Sequence, residues 1–549
     1  MIWILPRSVH PSEPARHCAA NRANGPAGFF SGQAALACLA ATAIALPPAA
    51  AGPSSDAITR DRLRLNRSEI REAESTALSS IADRLDRQGD SSRAARVRDL
   101  IPPPPPIEGP RRFDPLPEIV PPAEPSAPDA SPDDPIAEEI ATIRNKAADA
   151  YADLARRAFE AERLSLADAC LREVLRRRPD DPEARRLLGF VPHEGGWATP
   201  HAVSRLKNGD ILHPIYGWIP SEYLPELERG LLPAPSRPGR PPSRWLPAEE
   251  ADAMRLGSIS SGWQITTPHF KIQASVPLAE GIAFARRLEA FYDLFTSLAA
   301  DVIGPRLPLA QLFRNPDATA PAVAARQHQV LYFGTKRQYV DYLTSLLRDT
   351  SIENTLGVYL DDRKVSSFFK DEGGDLAVEA TLYHEVSHQL LFELAGPSGY
   401  RRNAGDYWVF EGLGTYFETV EAQPDGSLRY GGRIGPRVAE ARTRLVERGE
   451  LVPTDRFVRF DREEWSQDTD LLPLYYAQAI ALTIFLMDDD LASLRDAFLD
   501  YVADAYRGRL RAGASASLSS HLGMSYDELD RALIAFLSRP PAPGAPTDR

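Results

Sequence analysis

The chain has 549 residues, of which 43% are hydrophobic and 25% charged, a composition typical of folded globular domains. A chain of this length is too long to fold around a single hydrophobic core, so we expect two or three domains. The net charge of -13 and the pI near 5.4 argue against nucleic acid or an anionic membrane surface as partner, because both favour Lys and Arg. Three cysteines are too few for a disulfide framework.

Residues 1–51 have the features of a secretory leader. An apolar run at residues 35–46 (ALACLAATAIAL) follows three arginines and precedes the small residues Ala49–Ala51, which form a cleavage site. The run is shorter than the ~20 residues that span a bilayer, and no later segment reaches that length, so we predict no transmembrane span. We interpret the segment as a signal peptide that exports the protein to the periplasm, the cell envelope or the cell exterior. An alanine-rich unstructured leader is the alternative.

Two segments of different composition come next. Residues 52–100 carry apolar residues at helical spacing among many charges, which predicts a short helical pair or an exposed amphipathic segment. Residues 101–135 contain 14 prolines in 35 residues, a composition typical of an extended, semi-rigid linker. We expect this linker to act as a spacer that packs on nothing and is open to proteases.

Residues 136–191 return to helical spacing. The apolar positions from Ala147 to Leu154, and again around Cys170, resemble a tetratricopeptide unit. One and a half copies are present at most, whereas such solenoids need about three, so we expect a helical hairpin docked on the next domain. An envelope protein is the partner that this hairpin would bind. Cys170 is interpreted as a core residue.

Residues 192–259 are rich in Trp, Gly and Pro and predict a small β module. Glycines such as those in Gly195–Trp197 indicate turns between short strands. The histidines of this module match no metal-binding spacing and are interpreted as surface or core residues: His193, His201 and His213.

Residues 260–537 predict an α+β unit, a mixed sheet with helices on it followed by a mainly helical part. Strands are expected within Trp263–Gln273, at Gln329–Gly334, and as a hairpin within Leu356–Phe369, and helices at Leu278–Leu298 and Lys336–Leu347. The proline-rich tail, residues 538–549, is interpreted as disordered.

The pattern H-E-x-x-H, formed by His384, Glu385 and His388, lies in a predicted apolar helix. Residues four apart lie on one face of a helix, so both imidazoles can bind a single metal ion. Glu385 beside them can take the proton of a metal-bound water, whose pKa the metal lowers to about 7. A buried His-Glu-His cluster would be costly without a metal. The motif therefore predicts a hydrolytic metal site.

A second helical pattern, Trp408–Glu418, places Glu411 among hydrophobic neighbours. A buried carboxylate needs a partner, and a metal ion held by two histidines provides one. A third helical pattern runs from Tyr476 to Leu486.

H-E-x-x-H followed on the next helix by W-x-x-E-G-x-x-x-Y-F-E resembles the gluzincin metallopeptidases, especially the aminopeptidase N-like and peptidase MA-like branches. The resemblance implies a gluzincin-like catalytic domain that binds one Zn²⁺ ion. His384, His388 and Glu411 would be the zinc ligands and Glu385 the general base. Glu418 would be a carboxylate that orients a ligand.

The third helix also resembles its counterpart in the family. That helix begins with a tyrosine whose hydroxyl stabilises the oxyanion of the reaction, which implies this role for Tyr476. Tyr475, one residue earlier, is the alternative, and helix packing of both tyrosines is a third interpretation.

The sequence departs from the aminopeptidase N-like pattern in three places. The 22 residues between His388 and Glu411 are a few more than usual, and Phe410 stands where Asn commonly precedes the ligand. Gly357–Leu360 takes the place of the segment that holds a substrate's free amino terminus. By resemblance this strand would pair with substrate backbone, while the choice between endo- and exopeptidase stays open.

We therefore expect an exported zinc metallopeptidase that hydrolyses a peptide or protein substrate. The alternative is a catalytically weak or inactive gluzincin-like scaffold or binding protein of the cell envelope, with zinc as a structural element. Glu385 favours activity because it ligates nothing in the motif, and three protein ligands leave a position for water.

Overall fold

The structure, a computed structural model, describes residues 55–103, 109–122, 134–235, 242–304, 307–370, 376–395, 405–433, 435–488, 492–510 and 517–539. The predicted leader, residues 1–51, and residues 540–549 of the predicted disordered tail lie outside these ranges. Over the described residues the chain is mixed α+β, as predicted, with several small sheets among many helices.

The amino-terminal part is mainly helical. Its helices are α1 (Ser55–Arg87), α2 (Ser91–Asp99), α3 (Pro135–Glu160), α4 (Leu164–Arg177) and α5 (Pro182–Leu187). The first two form the predicted helical pair and pack on each other, with Leu78 and Val97 in a shared apolar cluster. The pair is docked rather than solvated, because Arg177 Nε of α4 lies 2.9 Å from Glu74 Oε1 of α1 in a buried ion pair.

Helices α3 and α4 form a hairpin that packs on helices of residues 260–537 rather than on the β module that follows it in the chain. The backbone amide of Ser165 donates to Asp301 Oδ1 at 3.0 Å, and Arg172 pairs with Asp293 of a later helix. Cys170 is fully buried in the hairpin's apolar core. The likeness of this hairpin to a tetratricopeptide unit stays a prediction.

The linker prediction for residues 101–135 is wrong in its middle part. Two short strands lie there, β1 (Arg111–Phe113) and β2 (Ile119–Val120), and β1 pairs antiparallel with Leu428–Tyr430. The residues of β1 lie between prolines at positions 110 and 115 and keep their own N–H groups, so they can join a ladder that proline cannot. Phe113 is buried, which anchors the segment on the domain.

Short strands and short helices alternate in residues 192–259, where the sequence predicts a small β module. The elements are β3 (Val191–His193), β4 (Gly196–Ala198), α6 (Pro200–Lys207), β5 (Asp210–His213), β6 (Gly217–Pro220), α7 (Leu224–Glu228), β7 (Leu231–Pro233), β8 (Trp245–Pro247) and α8 (Ala248–Leu256). Strand β2 joins β4, so the proline-rich segment also completes this module. Gly195, at φ +82°, makes the turn between β3 and β4. His201 is buried beside Glu118, 3.0 Å away, whereas His193 and His213 are half-buried.

A five-stranded mixed sheet follows, with the strand order β12-β13-β11-β10-β9. The elements are β9 (Trp263–Thr266), β10 (Phe270–Ala274), α9 (Leu278–Leu298), α10 (Ala300–Ile303), α11 (Pro308–Arg314), β11 (His328–Phe333), α12 (Lys336–Leu347), β12 (Gly357–Leu360) and β13 (Val365–Phe369). Phe284 of α9 stacks on Tyr332 at 3.9 Å on one face, and Tyr339 of α12 meets Phe333 on the other. The predicted strands and both predicted helices are present, and β12 is an edge strand.

The rest of the domain is mainly helical. It consists of α13 (Leu376–Leu390), a π-helical turn (Leu391–Ala395), α14 (Trp408–Phe417), β14 (Glu421–Ala422), β15 (Leu428–Tyr430), α15 (Pro436–Ala441), a π-helical turn (Arg442–Glu447), α16 (Thr454–Phe457), α17 (Arg462–Gln467), α18 (Leu472–Asp488), α19 (Ala492–Tyr506), α20 (Leu518–Leu522) and α21 (Tyr526–Ser538). Helix α14 is buried along its whole length and packs against both α13 and α18. In the described part of the chain, we find no helix that combines the length and apolarity needed to cross a membrane.

Candidate metal centre

Helix α13 presents polar side chains in two directions. His384 and His388, four residues apart, lie on the side that packs against α14. Glu385 and Gln389 of α13, and Glu393 of the π-helical turn that follows it, are also spaced by four, and they contact the five-stranded sheet. One helix thus supplies two imidazoles to one site and a row of hydrogen-bonding groups to the sheet.

The third predicted ligand comes from α14. Glu411 meets the two histidines of α13, and one ligand atom from each of the three residues lies within 4.8 Å of the others. His384 Nε2 is 3.6 Å from Glu411 Oε2, and the two imidazole rings lie 4.8 Å apart at 79°. The structure therefore brings together the three residues that the sequence analysis singled out as metal ligands.

A glycine permits this close approach of the helices. A Cβ atom at Gly414 would lie 2.7 Å from both Cε1 and Nε2 of His384, well inside contact distance. Gly412 has a similar role toward α18, since its Cβ would lie 2.3 Å from Thr483 Oγ1. The two glycines let α14 carry Glu411 between its neighbours.

Glu418 lies behind His384, in the place the family resemblance implies for an orienting carboxylate. Its Oε1 is 2.8 Å from His384 Nδ1, and its Oε2 accepts a hydrogen bond from Arg437 of α15. The bond at Nδ1 fixes the ring so that Nε2 faces Glu411. Burial raises the pKa of Glu418, but Arg437 and His384 outweigh burial and the pKa is lowered.

The charges of the cluster favour a cation. Glu411 is fully buried, and among the described residues neither of its oxygens has a hydrogen bond of normal length. Burial raises its pKa, although His384 and the hydroxyls of Tyr407 and Tyr476 act in the opposite direction. Burial lowers the pKa of His384, but Glu411 and Glu418 outweigh it and raise the pKa to about 10.

The atoms that the three residues offer decide whether a metal ion fits between them. Two imidazoles and one carboxylate suit Zn²⁺, and a divalent cation would compensate the buried charge of Glu411. Burial and the neighbouring imidazole of His384 lower the pKa of His388 well below its usual value, whereas the raised pKa of His384 means that this ring must release a proton to bind a metal. The residues present therefore fit a zinc ion.

Glu385 is held away from the ligand cluster by the sheet. Its Oε2 accepts a hydrogen bond from the backbone N–H of Tyr359 in β12 at 2.8 Å. Burial raises the pKa of this carboxyl to about 7, while His384 and the Tyr359 amide oppose the shift. The hydrogen bond to the edge strand thus directs this carboxylate toward the sheet, and its role as general base stays a prediction.

The two candidate tyrosines have different surroundings. The hydroxyl of Tyr476 faces Glu411, and Arg437 lies over the Tyr476 ring at 5.2 Å. Tyr475 instead joins an aromatic cluster, with its ring 5.4 Å from Trp465 and 5.2 Å from Phe460. The structure thus brings Tyr476, and not Tyr475, to the candidate site, while its role as oxyanion donor stays a prediction.

The sequence analysis missed several residues that build the site. Arg437 bonds Glu418, the hydroxyl of Tyr407 lies near Glu411, and Gln389 and Glu393 tie α13 to the sheet. A signal existed for the last two, because they follow Glu385 at four-residue intervals. For Arg437 no local pattern exists, since it comes from another helix.

The fold and the site together define a mixed α+β protein with a candidate metal centre of two histidines and one glutamate. A family described as "Protein of unknown function (DUF1570)" matches residues 378–507, about a quarter of the chain. The matched range runs from α13 to the end of α19 and contains all three candidate ligands. No curated protein and no solved structure matches the chain.

Proposed function

We propose that this chain is a zinc-dependent peptide-bond hydrolase of gluzincin type that acts outside the cytoplasm on a peptide or protein substrate. The observation that carries the proposal is the convergence of His384, His388 and Glu411 from two helices on one point. Glu385 supports it, because this carboxylate lies next to the ligands in sequence but is bonded to β12.

The chemistry needs a metal ion, a proton acceptor and a donor to the oxyanion. A bound zinc ion would act as a Lewis acid and would make water a stronger acid. Glu385 would hold the proton of the attacking water and pass it to the leaving amine nitrogen. The hydroxyl of Tyr476, which faces Glu411, would donate a hydrogen bond to the oxyanion that develops on the substrate carbonyl.

Metal retention and amide hydrolysis can be measured on the same preparations. The metal content of the purified full-length chain is determined by mass spectrometry, and the protein is then incubated with a broad peptide library. Glu385→Gln is the matched control, because it keeps the ligands and the shape of the side chain but removes the proton acceptor. We expect about one zinc per chain in both proteins and cleavage by the wild type alone.

Two results would contradict the proposal. Zinc binding without cleavage by the wild type would favour the scaffold interpretation, in which the metal is a structural element. Equal cleavage by both proteins would show that Glu385 does not take part. The cleaved sequences, where cleavage occurs, would also decide between endo- and exopeptidase action.

A further inference from the structure

Tyr359, a residue of the edge strand β12, contacts Glu385 of α13 and Glu393 of the π-helical turn that follows α13. The backbone N–H of Tyr359 donates to Glu385 Oε2 at 2.8 Å. Its side-chain hydroxyl donates to Glu393 Oε1 at 3.4 Å, eight residues further along the chain in the π-helical turn that follows α13. One buried residue therefore bridges a carboxylate of α13 and a carboxylate of the π-helical turn after it.

Glu393 is itself fixed by buried partners. Its Oε2 lies 3.1 Å from Nδ1 of His328 in β11, and the two side chains are only 5% and 3% exposed. Gln389, one turn back on α13, donates to Glu393 Oε1 at 3.1 Å. Glu393 is thus the acceptor at which contacts from β11, β12 and α13 meet.

Gln389 connects the same helix face to the centre of the sheet. Its amide nitrogen donates to the backbone oxygen of Gln329 at 3.1 Å, and its amide oxygen accepts from Ser366 Oγ at 2.8 Å. These bonds hold α13 against β11 and β13. Toward the edge strand β12, apolar contacts such as Val378 with Val358 and Leu360 are joined by the polar contacts of Tyr359 with Glu385 and Glu393.

We propose that Glu393 is a positioning residue for Glu385, acting through Tyr359. An edge strand has a neighbouring strand on one side only, so its distance from α13 depends on side contacts. With Glu393 holding the hydroxyl, the ring of Tyr359 keeps β12 where its amide meets Glu385 Oε2. This inference rests on the proposed function for its effect on the reaction, but not for the geometry.

A second glutamate–histidine pair in the same domain, which is half-buried, provides a control. Glu289 Oε2 of α9 lies 2.7 Å from His269 Nδ1, just before β10. The variants are Glu393→Gln, Tyr359→Phe and, as control, Glu289→Gln. Tyr359→Phe removes only the hydroxyl and keeps the backbone amide, so it tests the bridge even if Glu393→Gln folds poorly.

The first readout does not depend on activity. Hydrogen–deuterium exchange is measured on the peptide that contains Tyr359, in the full-length chain with and without zinc. We expect Glu393→Gln and Tyr359→Phe to speed exchange of the Tyr359 amide about fivefold, because each weakens one hydrogen bond. Glu289→Gln should leave the exchange rate unchanged. Unchanged exchange in both test variants would overturn the proposal.

The second readout is the kinetics of peptide cleavage. We expect Glu393→Gln to lower kcat about 10- to 100-fold with KM and zinc content unchanged. This is the typical cost of losing a residue that orients a group at a metal site. An equal loss from Glu289→Gln would overturn the positioning role, because it would show a general effect of breaking a glutamate–histidine pair in this domain. If the wild type cleaves no peptide, the proposed function fails while the exchange measurement still decides the inference.

Discussion

Replacing Gly414 by alanine should displace one candidate metal ligand without removing it. The added Cβ would lie 2.7 Å from both Cε1 and Nε2 of His384, whereas ordinary contact begins at 3.4 Å. The ring must therefore move by roughly 0.7 Å, since repulsion rises steeply below contact distance. Glu418 opposes this movement because it holds the other ring nitrogen at 2.8 Å.

The magnitude follows from the narrow tolerance of metal–ligand distances. Zinc sites tolerate about ±0.2 Å, so a shift of roughly 0.7 Å takes His384 Nε2 out of bonding range. We expect zinc affinity to fall at least about 100-fold, the upper end of what loss of an orienting contact costs. Overpacking adds about 1–3 kcal/mol of destabilisation.

The assay is a zinc titration against a competing chelator, with unfolding measured in parallel. Gly257→Ala is the control, because a Cβ at that position meets nothing within 4 Å and the backbone is helical. Wild-type zinc affinity in a folded Gly414→Ala protein would refute the assignment of His384 Nε2 as a ligand.

Three further predictions concern the reaction and the stability of the fold. Tyr476→Phe should lower kcat about 10² to 10³-fold with little change in KM or zinc content, whereas Tyr475→Phe should leave kcat unchanged. If neither substitution affects kcat, neither tyrosine stabilises the oxyanion. Burial and a nearby aspartate raise the pKa of Asp301 from 3.8 to about 6, so this group's contribution to stability is present below pH 4 and is lost as pH rises to 6. Asp301→Asn should remove at most about 3 kcal/mol of that pH dependence in urea unfolding curves, and an unchanged dependence would show that Asp301 titrates normally. Glu74→Ala should destabilise the chain by about 2–3 kcal/mol, because it leaves the buried guanidinium of Arg177 in α4 with a weaker set of partners. Glu72→Ala, at an exposed position of the same helix, should cost under about 0.5 kcal/mol. Equal effects would mean that the amino-terminal helix does not dock as described.

Local rules were sufficient for the secondary structure around the site. Helix α9 begins directly after Pro277 and follows a regular apolar spacing, so its ends could be read from the sequence. Helix α12 begins at a threonine cap, Thr335, whose side chain accepts from Gln338 N. The spacing of four residues likewise placed His384 and His388 on one face.

Long-range contacts could not be predicted in this way. Strand β1 pairs with residues more than 300 positions later. The high proline content of residues 101–135 predicts a linker, although Arg111–Phe113 within it can form a β ladder. Arg437 reaches Glu418 from a separate helix, with no periodic pattern linking them. Such contacts depend on how elements pack, which spacing within one element does not specify.

The central claim is an open three-ligand zinc site, and anomalous diffraction at the zinc edge from crystals of the full-length chain tests it most directly. We expect one ion bonded to His384, His388 and Glu411 at about 2.0–2.2 Å, with a remaining position open to water. An ion located elsewhere, or a fourth protein side chain that closes the coordination sphere at this site, would contradict the claim.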